Sequence, residues 1–126
     1  MAASGQVDAE DRAAYNLGAV YDTGSGMPQN VAEAAKLYQK AHEAGNAEAT
    51  YRLGMMYFEG RGVPQNLARA ALLYQKAHKA GIAEATYRLG MMFSEGRGVP
   101  QNLARAAELC QQAHEAGVGA VRRGIA

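Results

Sequence analysis

The sequence predicts an all-α protein, an αα solenoid of three 36-residue helix-turn-helix repeats. Three observations carry this reading. Leu-Gly recurs 36 residues apart at Leu17-Gly18, Leu53-Gly54 and Leu89-Gly90. The same spacing separates Gly26, Gly62 and Gly98, then Pro28, Pro64 and Pro100, then Gly45, Gly81 and Gly117. The segment GRGVPQN stands at 60–66 and again at 96–102. A fixed period of this size marks a unit that cannot bury its apolar face alone and must stack on its neighbours.

Alignment divides the chain, residues 1–126, into a single solenoid domain. Residues 1–9 are an N-terminal extension. Residues 10–45, 46–81 and 82–117 are repeats, and 118–126 begin a partial fourth repeat that serves as a C-terminal capping helix. Copies two and three differ at only seven positions: Asn46/Ile82, Tyr57/Phe93, Phe58/Ser94, Leu72/Glu108, Tyr74/Cys110, Lys76/Gln112 and Lys79/Glu115. The first copy is more divergent. In the tail, Ile125 takes the place of Leu53 and Leu89.

Each element has a local reason. The first copy opens with a helix carrying Arg12, Tyr15, Asn16, Ala19 and Asp22, followed by a second helix over 31–44. In the second copy, Ala49, Leu53, Met56 and Tyr57 form one stripe at helical spacing, predicting a helix over 47–58. Gly60 suits the left-handed cap that ends it. Gly62 and Pro64 shape the turn. Asn66 is a good N-cap for a helix over 67–80 with an inward stripe of Ala70, Leu73, Tyr74 and Ala77. Gly81 stops that helix. The third copy repeats the pattern over 83–94 and 103–116. Gly54 and the stripe alanines let helices approach closely. The outward stripe of the second helix, Arg69, Leu72, Lys76 and Lys79, reads as a solvated face.

Composition excludes several classes of function. Hydrophobic residues make up 48% of the chain, enough for a core without tryptophan. A net charge of +1 argues against nucleic acid or an anionic membrane as partner. No apolar run approaches the roughly 18 residues that span a bilayer. The start shows neither a basic nor an apolar region, so no signal peptide is visible and a cytoplasmic location is favoured, or a periplasmic one for a mature form. The single cysteine, Cys110, excludes an internal disulfide and leans towards a reducing compartment.

With these residues in place, the chain resembles a known family. The pattern A-x-A-x-x-x-L-G-x-x-Y, then G-x-G-V-P-x-N, then A-x-x-Y-x-K-A with a closing glycine is similar to the Sel-one-like repeat, a relative of the tetratricopeptide repeat. Ala47, Ala49, Leu53, Gly54, Tyr57, Gly60, Gly62, Val63, Ala70, Tyr74, Lys76, Ala77 and Gly81 match it in turn, and the likeness covers about residues 10–117. The resemblance implies a right-handed superhelix of helix pairs, a concave side lined by the first helix of each pair, and an adaptor role towards other proteins. His42, His78 and His114 depart from the family's usual alanine, Ile82 replaces a capping Asn, and Met27 replaces valine. Some bacterial members staple each repeat with paired cysteines and are linked to β-lactam binding; this chain lacks those cysteines.

The residues argue against chemistry. Ligands of one zinc lie about 2.0–2.1 Å from it, whereas repeat-equivalent histidines are at least one helix-packing distance apart, roughly 8–10 Å. No metal site is expected, and no cofactor. Cys110, in the place of Tyr38 and Tyr74, reads as a small buried hydrophobe. Glu48 and Glu84 stand four residues before Arg52 and Arg88, a helix-pair spacing rather than a catalytic one. The glycine-rich turn has no strand before it and no Lys-Ser/Thr after it, so it is no phosphate cradle. Catalytic residues are not expected, and the protein reads as a non-enzyme.

What remains is the groove. Its predicted lining is Tyr15 from the first copy, Glu48, Tyr51, Arg52, Met55 and Phe58 from the second, and Glu84, Tyr87, Arg88 and Met91 from the third, with Ser94 in the place of Phe58. Tyrosine, methionine and arginine are the types that contact partners. Tyr15, Tyr51 and Tyr87 stay open between packing the repeats and touching a partner, while Met55 and Met91 are favoured as contacts. Arg69 and Arg105 are oddities at the third position of their helices, where the dipole disfavours a cation by roughly 0.3–1 kcal/mol. The expected function is a non-enzymatic adaptor holding a peptide or protein segment in the concave groove. Two alternatives stand beside it. One is an inhibitor or immunity protein for one partner. The other is a recently duplicated or consensus-engineered repeat that self-assembles through its ends or groove into a homo-oligomer.

Overall fold

The computed structural model describes residues 9–118. They form α1 (Ala9–Thr23), α2 (Val31–Glu43), α3 (Ala47–Glu59), α4 (Leu67–Lys79), α5 (Ala83–Glu95) and α6 (Leu103–Glu115), with no strand among the described residues. The expected spans agree to within a residue at each end. Each helix packs on the ones before and after it in the chain, the arrangement of an αα solenoid. No helix among the described residues is long and apolar enough to cross a membrane. The expected partial fourth repeat lies outside the described residues beyond Val118, which is itself buried.

The helix ends follow their capping chemistry. The Asn30, Asn66 and Asn102 side chains each accept a hydrogen bond from the backbone N–H three residues on, at 3.1, 3.0 and 3.0 Å. Asn46 does the same for α3 at 3.0 Å, whereas Ile82 begins α5 with no side-chain cap. Gly60 closes α3 in the left-handed region at φ 70° and Gly96 closes α5 at φ 67°. A glutamine side chain closes each turn. The Gln29, Gln65 and Gln101 side-chain amides donate back to the carbonyls of Asp22, Phe58 and Ser94 at 2.7, 2.9 and 2.9 Å.

The core sits in the helix crossings. Ala49, Leu53 and Met56 of α3 and Ala70, Leu73, Tyr74 and Ala77 of α4 are buried as their stripes predict, and Tyr57 is half-buried. A Cβ on Gly18 or Gly54 would stand 3.0 Å from the ring of Tyr38 or Tyr74, so glycine is what lets the paired helices close. Gly62 does more than shape a turn. It has φ 75°, and a Cβ there would meet the carbonyl oxygen of Val31 in the preceding repeat; Gly98 repeats this against Leu67. A Cβ on Gly26 would meet nothing among the described residues. Cys110 is only half-buried, not the fully buried hydrophobe expected, although its Sγ stands 2.9 Å from where a Gly90 Cβ would be.

Candidate functional groove

The first helices of the repeats are tied side by side by tyrosine and arginine. The Arg88 Nε–H donates to the Tyr51 hydroxyl at 3.0 Å, joining α5 to α3. Burial disfavours charge on Arg88, yet the Tyr51 hydroxyl holds its pKa above the ordinary arginine value. Arg52 is raised against the same burial penalty by Tyr15, with Glu48 acting through charge alone. Tyr51 is 7% exposed, and its ring centroid lies 5.9 Å from that of Tyr74; Tyr15 lies 5.8 Å from Tyr38. For Tyr51 this favours the packing role: it orients Arg88 and offers little surface of its own. Tyr15 and Tyr87 are half-buried.

The predicted groove residues fall in two places. Phe58, Tyr87, Arg88 and Met91 converge, with Glu95 and Arg97, on a cavity of about 320 Å³ at the C-terminal ends of α3 and α5. Met91 is 37% exposed there. Met55 is half-buried and packs against the α4–α5 core, so it is a less open contact than its spacing suggested. Glu48 and Glu84 lie at the other ends of these helices. They line a separate depression of about 560 Å³ with Gly81, Ile82, Ala116 and Gly117.

Two repeat junctions differ sharply in chemistry. At the first, Asp22 at the end of α1 accepts from Arg61 at 2.8 Å through one oxygen and from the Tyr38 hydroxyl at 3.2 Å through the other. Burial and the Asp22 carboxylate together push the Tyr38 hydroxyl well above the usual tyrosine range. At the second junction Phe58 stands where Asp22 stood. Arg97, the counterpart of Arg61, has no ion pair among the described residues and lies with its guanidinium carbon 4.7 Å from the Phe58 ring centroid. The Tyr74 hydroxyl, counterpart of Tyr38, is buried with no hydrogen-bond partner. Phe58 meets the Tyr74 ring edge-on at 6.5 Å.

The sequence pattern does not single out Arg97, because within GRGVPQN it belongs to a turn. A signal is present even so: position 22/58/94 is one of three that differ in all three copies, here Asp, Phe and Ser, while the arginine three residues on stays fixed in copies two and three.

The remaining candidates find intramolecular roles. His42 Nδ1 lies 2.7 Å from Thr50 Oγ1, and His78 Nδ1 2.7 Å from Thr86 Oγ1, bridging one repeat to the next. No group of metal-ligating side chains is present among the described residues. Arg69 stacks on the Tyr57 ring at 5.0 Å, and Arg105 pairs with Glu108 at 3.1 Å, which offsets their unfavourable place at the helix starts. On the opposite face Leu72 is 63% exposed among Arg69, Lys76 and Lys79.

Comparison with known proteins follows the same repeat boundaries. The Sel1 repeat family matches residues 11–46, 47–81 and 83–118. A Sel1 repeat protein from Oxalobacter formigenes superposes with a TM-score of 0.80 at 34% identity, over 85% of this chain and 44% of that one. A protective antigen of uropathogenic Escherichia coli with the SLR fold gives 0.83 at 34% identity, over 85% of this chain and 23% of that one. The chain therefore spans less than half the length of either relative. Helicobacter pylori cysteine rich protein B gives 0.68 at 22% identity over 91% and 94%, a likeness of fold. Among curated protein sequences there is no match.

Proposed function

Because the chain belongs to the Sel1 repeat family, whose repeats generally mediate protein–protein interaction, we propose that it holds a segment of another protein along the groove formed by α3 and α5. The observation that carries this is the cavity where Phe58, Tyr87, Arg88 and Met91 meet on neighbouring repeats. It supplies two aromatic rings and an adaptable methionine, the side chains that anchor a partner. Arg88 is pre-oriented by Tyr51, which lowers the ordering cost of binding. Tyr15, Arg52 and Met55 extend the same face towards the first repeat, and Glu48 and Glu84 form its far end. Nothing in the arrangement resembles a nucleophile with its base, and the reading is a binding module rather than an enzyme.

The test is Met91→Glu. Met91 is partly exposed, so the substitution leaves the fold intact by circular dichroism and thermal melting. A binder selected from a random dodecamer peptide library against the full chain then loses affinity by about tenfold or more. Binding that survives in the folded variant would move the site to the opposite face around Arg69, Leu72 and Lys76.

A further inference from the structure

The difference between the two junctions says what the groove cavity lacks. At the first junction an arginine and a buried tyrosine hydroxyl converge on a carboxylate that the chain supplies itself, Asp22. At the second the arginine and the tyrosine remain, as Arg97 and Tyr74, and the carboxylate is gone. Tyr74 is fully buried behind the cavity lining, its ring edge-on to Phe58, and its hydroxyl has no acceptor among the described residues, an arrangement that native proteins avoid unless something else satisfies the group. Arg97 rests on that same ring at the mouth of the cavity. Arg88 lines the cavity from the other side, and Glu95 supplies the one carboxylate among its lining residues without forming an ion pair to Arg97.

We propose that this cavity receives an acidic side chain of the bound protein segment, whose carboxylate takes at Arg97 the place that Asp22 holds at Arg61, with an adjoining apolar side chain seated on Tyr87 and Met91. The proposal rests on the groove reading above and narrows its partner to a segment pairing an Asp or Glu with a large apolar residue. Charge complementarity supports it: two guanidinium groups and one carboxylate line the cavity. The internal precedent at Asp22 shows that this backbone framework accommodates a carboxylate beside the repeat arginine, shielded to 13% exposure. An arginine fork suits a carboxylate better than any other protein group.

The experiment uses the full chain and a random dodecamer peptide library displayed on phage. Selected peptides should be enriched in Asp or Glu next to Leu, Met, Phe or Tyr. A synthetic peptide from that set should lose about tenfold in affinity on Arg97→Gln. Replacing the peptide's acidic residue with its amide should cost the same, and the two losses should not add. Phe58→Asp, which supplies the carboxylate from within the chain, should also displace the peptide while circular dichroism shows the fold retained. Arg97 is exposed, so Arg97→Gln reports even where Phe58→Asp fails to fold. Affinity that falls with Met91→Glu but not with Arg97→Gln overturns the carboxylate and leaves the groove standing. Affinity indifferent to both, or a library that yields no binder, overturns the groove as well.

Discussion

The Arg97 guanidinium lies 4.7 Å from the Phe58 ring centroid, where one repeat earlier Arg61 lies 2.8 Å from the Asp22 carboxylate. The backbone around the two arginines is alike: both follow a glycine in the left-handed region or its equivalent turn, and both precede a glycine at φ 75° or 76°. One side chain at the end of the preceding first helix sets the difference. It converts a self-satisfied junction into a cavity lined by rings and unpaired positive charge.

The two junctions should therefore differ in stability. Asp22→Ala removes an ion pair and strands the buried Tyr38 hydroxyl, a loss on the order of 1–3 kcal/mol. Arg97→Ala removes an exposed cation–π contact, on the order of 0.5–1 kcal/mol. Urea unfolding at constant m-value compares the two. Equal costs would mean that the Asp22 network carries no particular weight.

Glycines at one repeat position should respond unequally. Gly26→Ala and Gly62→Ala both force a side chain to positive φ, at 88° and 75°, a strain of roughly 1–2 kcal/mol. Only Gly62→Ala also drives a Cβ into the Val31 carbonyl of the preceding repeat, adding an overpacking cost on the order of 1–3 kcal/mol. Melting temperatures of the pair measure the added term directly. A smaller loss for Gly62→Ala than for Gly26→Ala would contradict the inter-repeat contact.

Acid should weaken the repeat contacts through histidine. Thr50 Oγ1 donates to the Asn46 carbonyl at 3.1 Å, so it accepts from His42 Nδ1–H; His78 and Thr86 repeat the geometry. Burial lowers the His42 pKa from its usual 6.5, aided by Lys76 and Arg69 and opposed by Glu43. Burial lowers that of His78 too, aided by Arg105 and Lys79. The unfolded chain then takes up protons first as pH falls. The contribution is complete above pH 6.5 and is lost as pH drops below it, through the folded-state values. His42→Gln with His78→Gln should flatten the slope of unfolding free energy against pH on the acid side of 6.5. An unchanged slope would place the sensitivity elsewhere.

Repeat spacing, apolar stripes and capping residues made the fold legible in the sequence. Gly54 against Tyr74, Asn66 as a cap and Leu72 as an exposed leucine are local consequences of helical periodicity. Tyr87, Arg88 and Met91 were also legible as one face of α5, because a helix presents residues three and four apart together, and Phe58 joins them from α3 of the preceding repeat. Three things were not. Tyr51 carries the pattern of a contact residue and is nearly all buried, since the tie to Arg88 runs between repeats and no within-helix spacing reveals it. Met55 and Met91 are repeat equivalents, yet Met55 packs against the α4–α5 core and is the less open. Arg97 belongs to a turn, where periodicity assigns no face.

The most direct check of groove binding is a backbone and arginine side-chain ¹H–¹⁵N correlation spectrum of the full chain, titrated with a library-selected peptide. Perturbations should concentrate on residues 55–58, 87–91 and 95–97 and on the Arg97 Nε–H signal. Perturbations centred instead on Arg69, Leu72 and Lys76, with the groove signals unmoved, would contradict it.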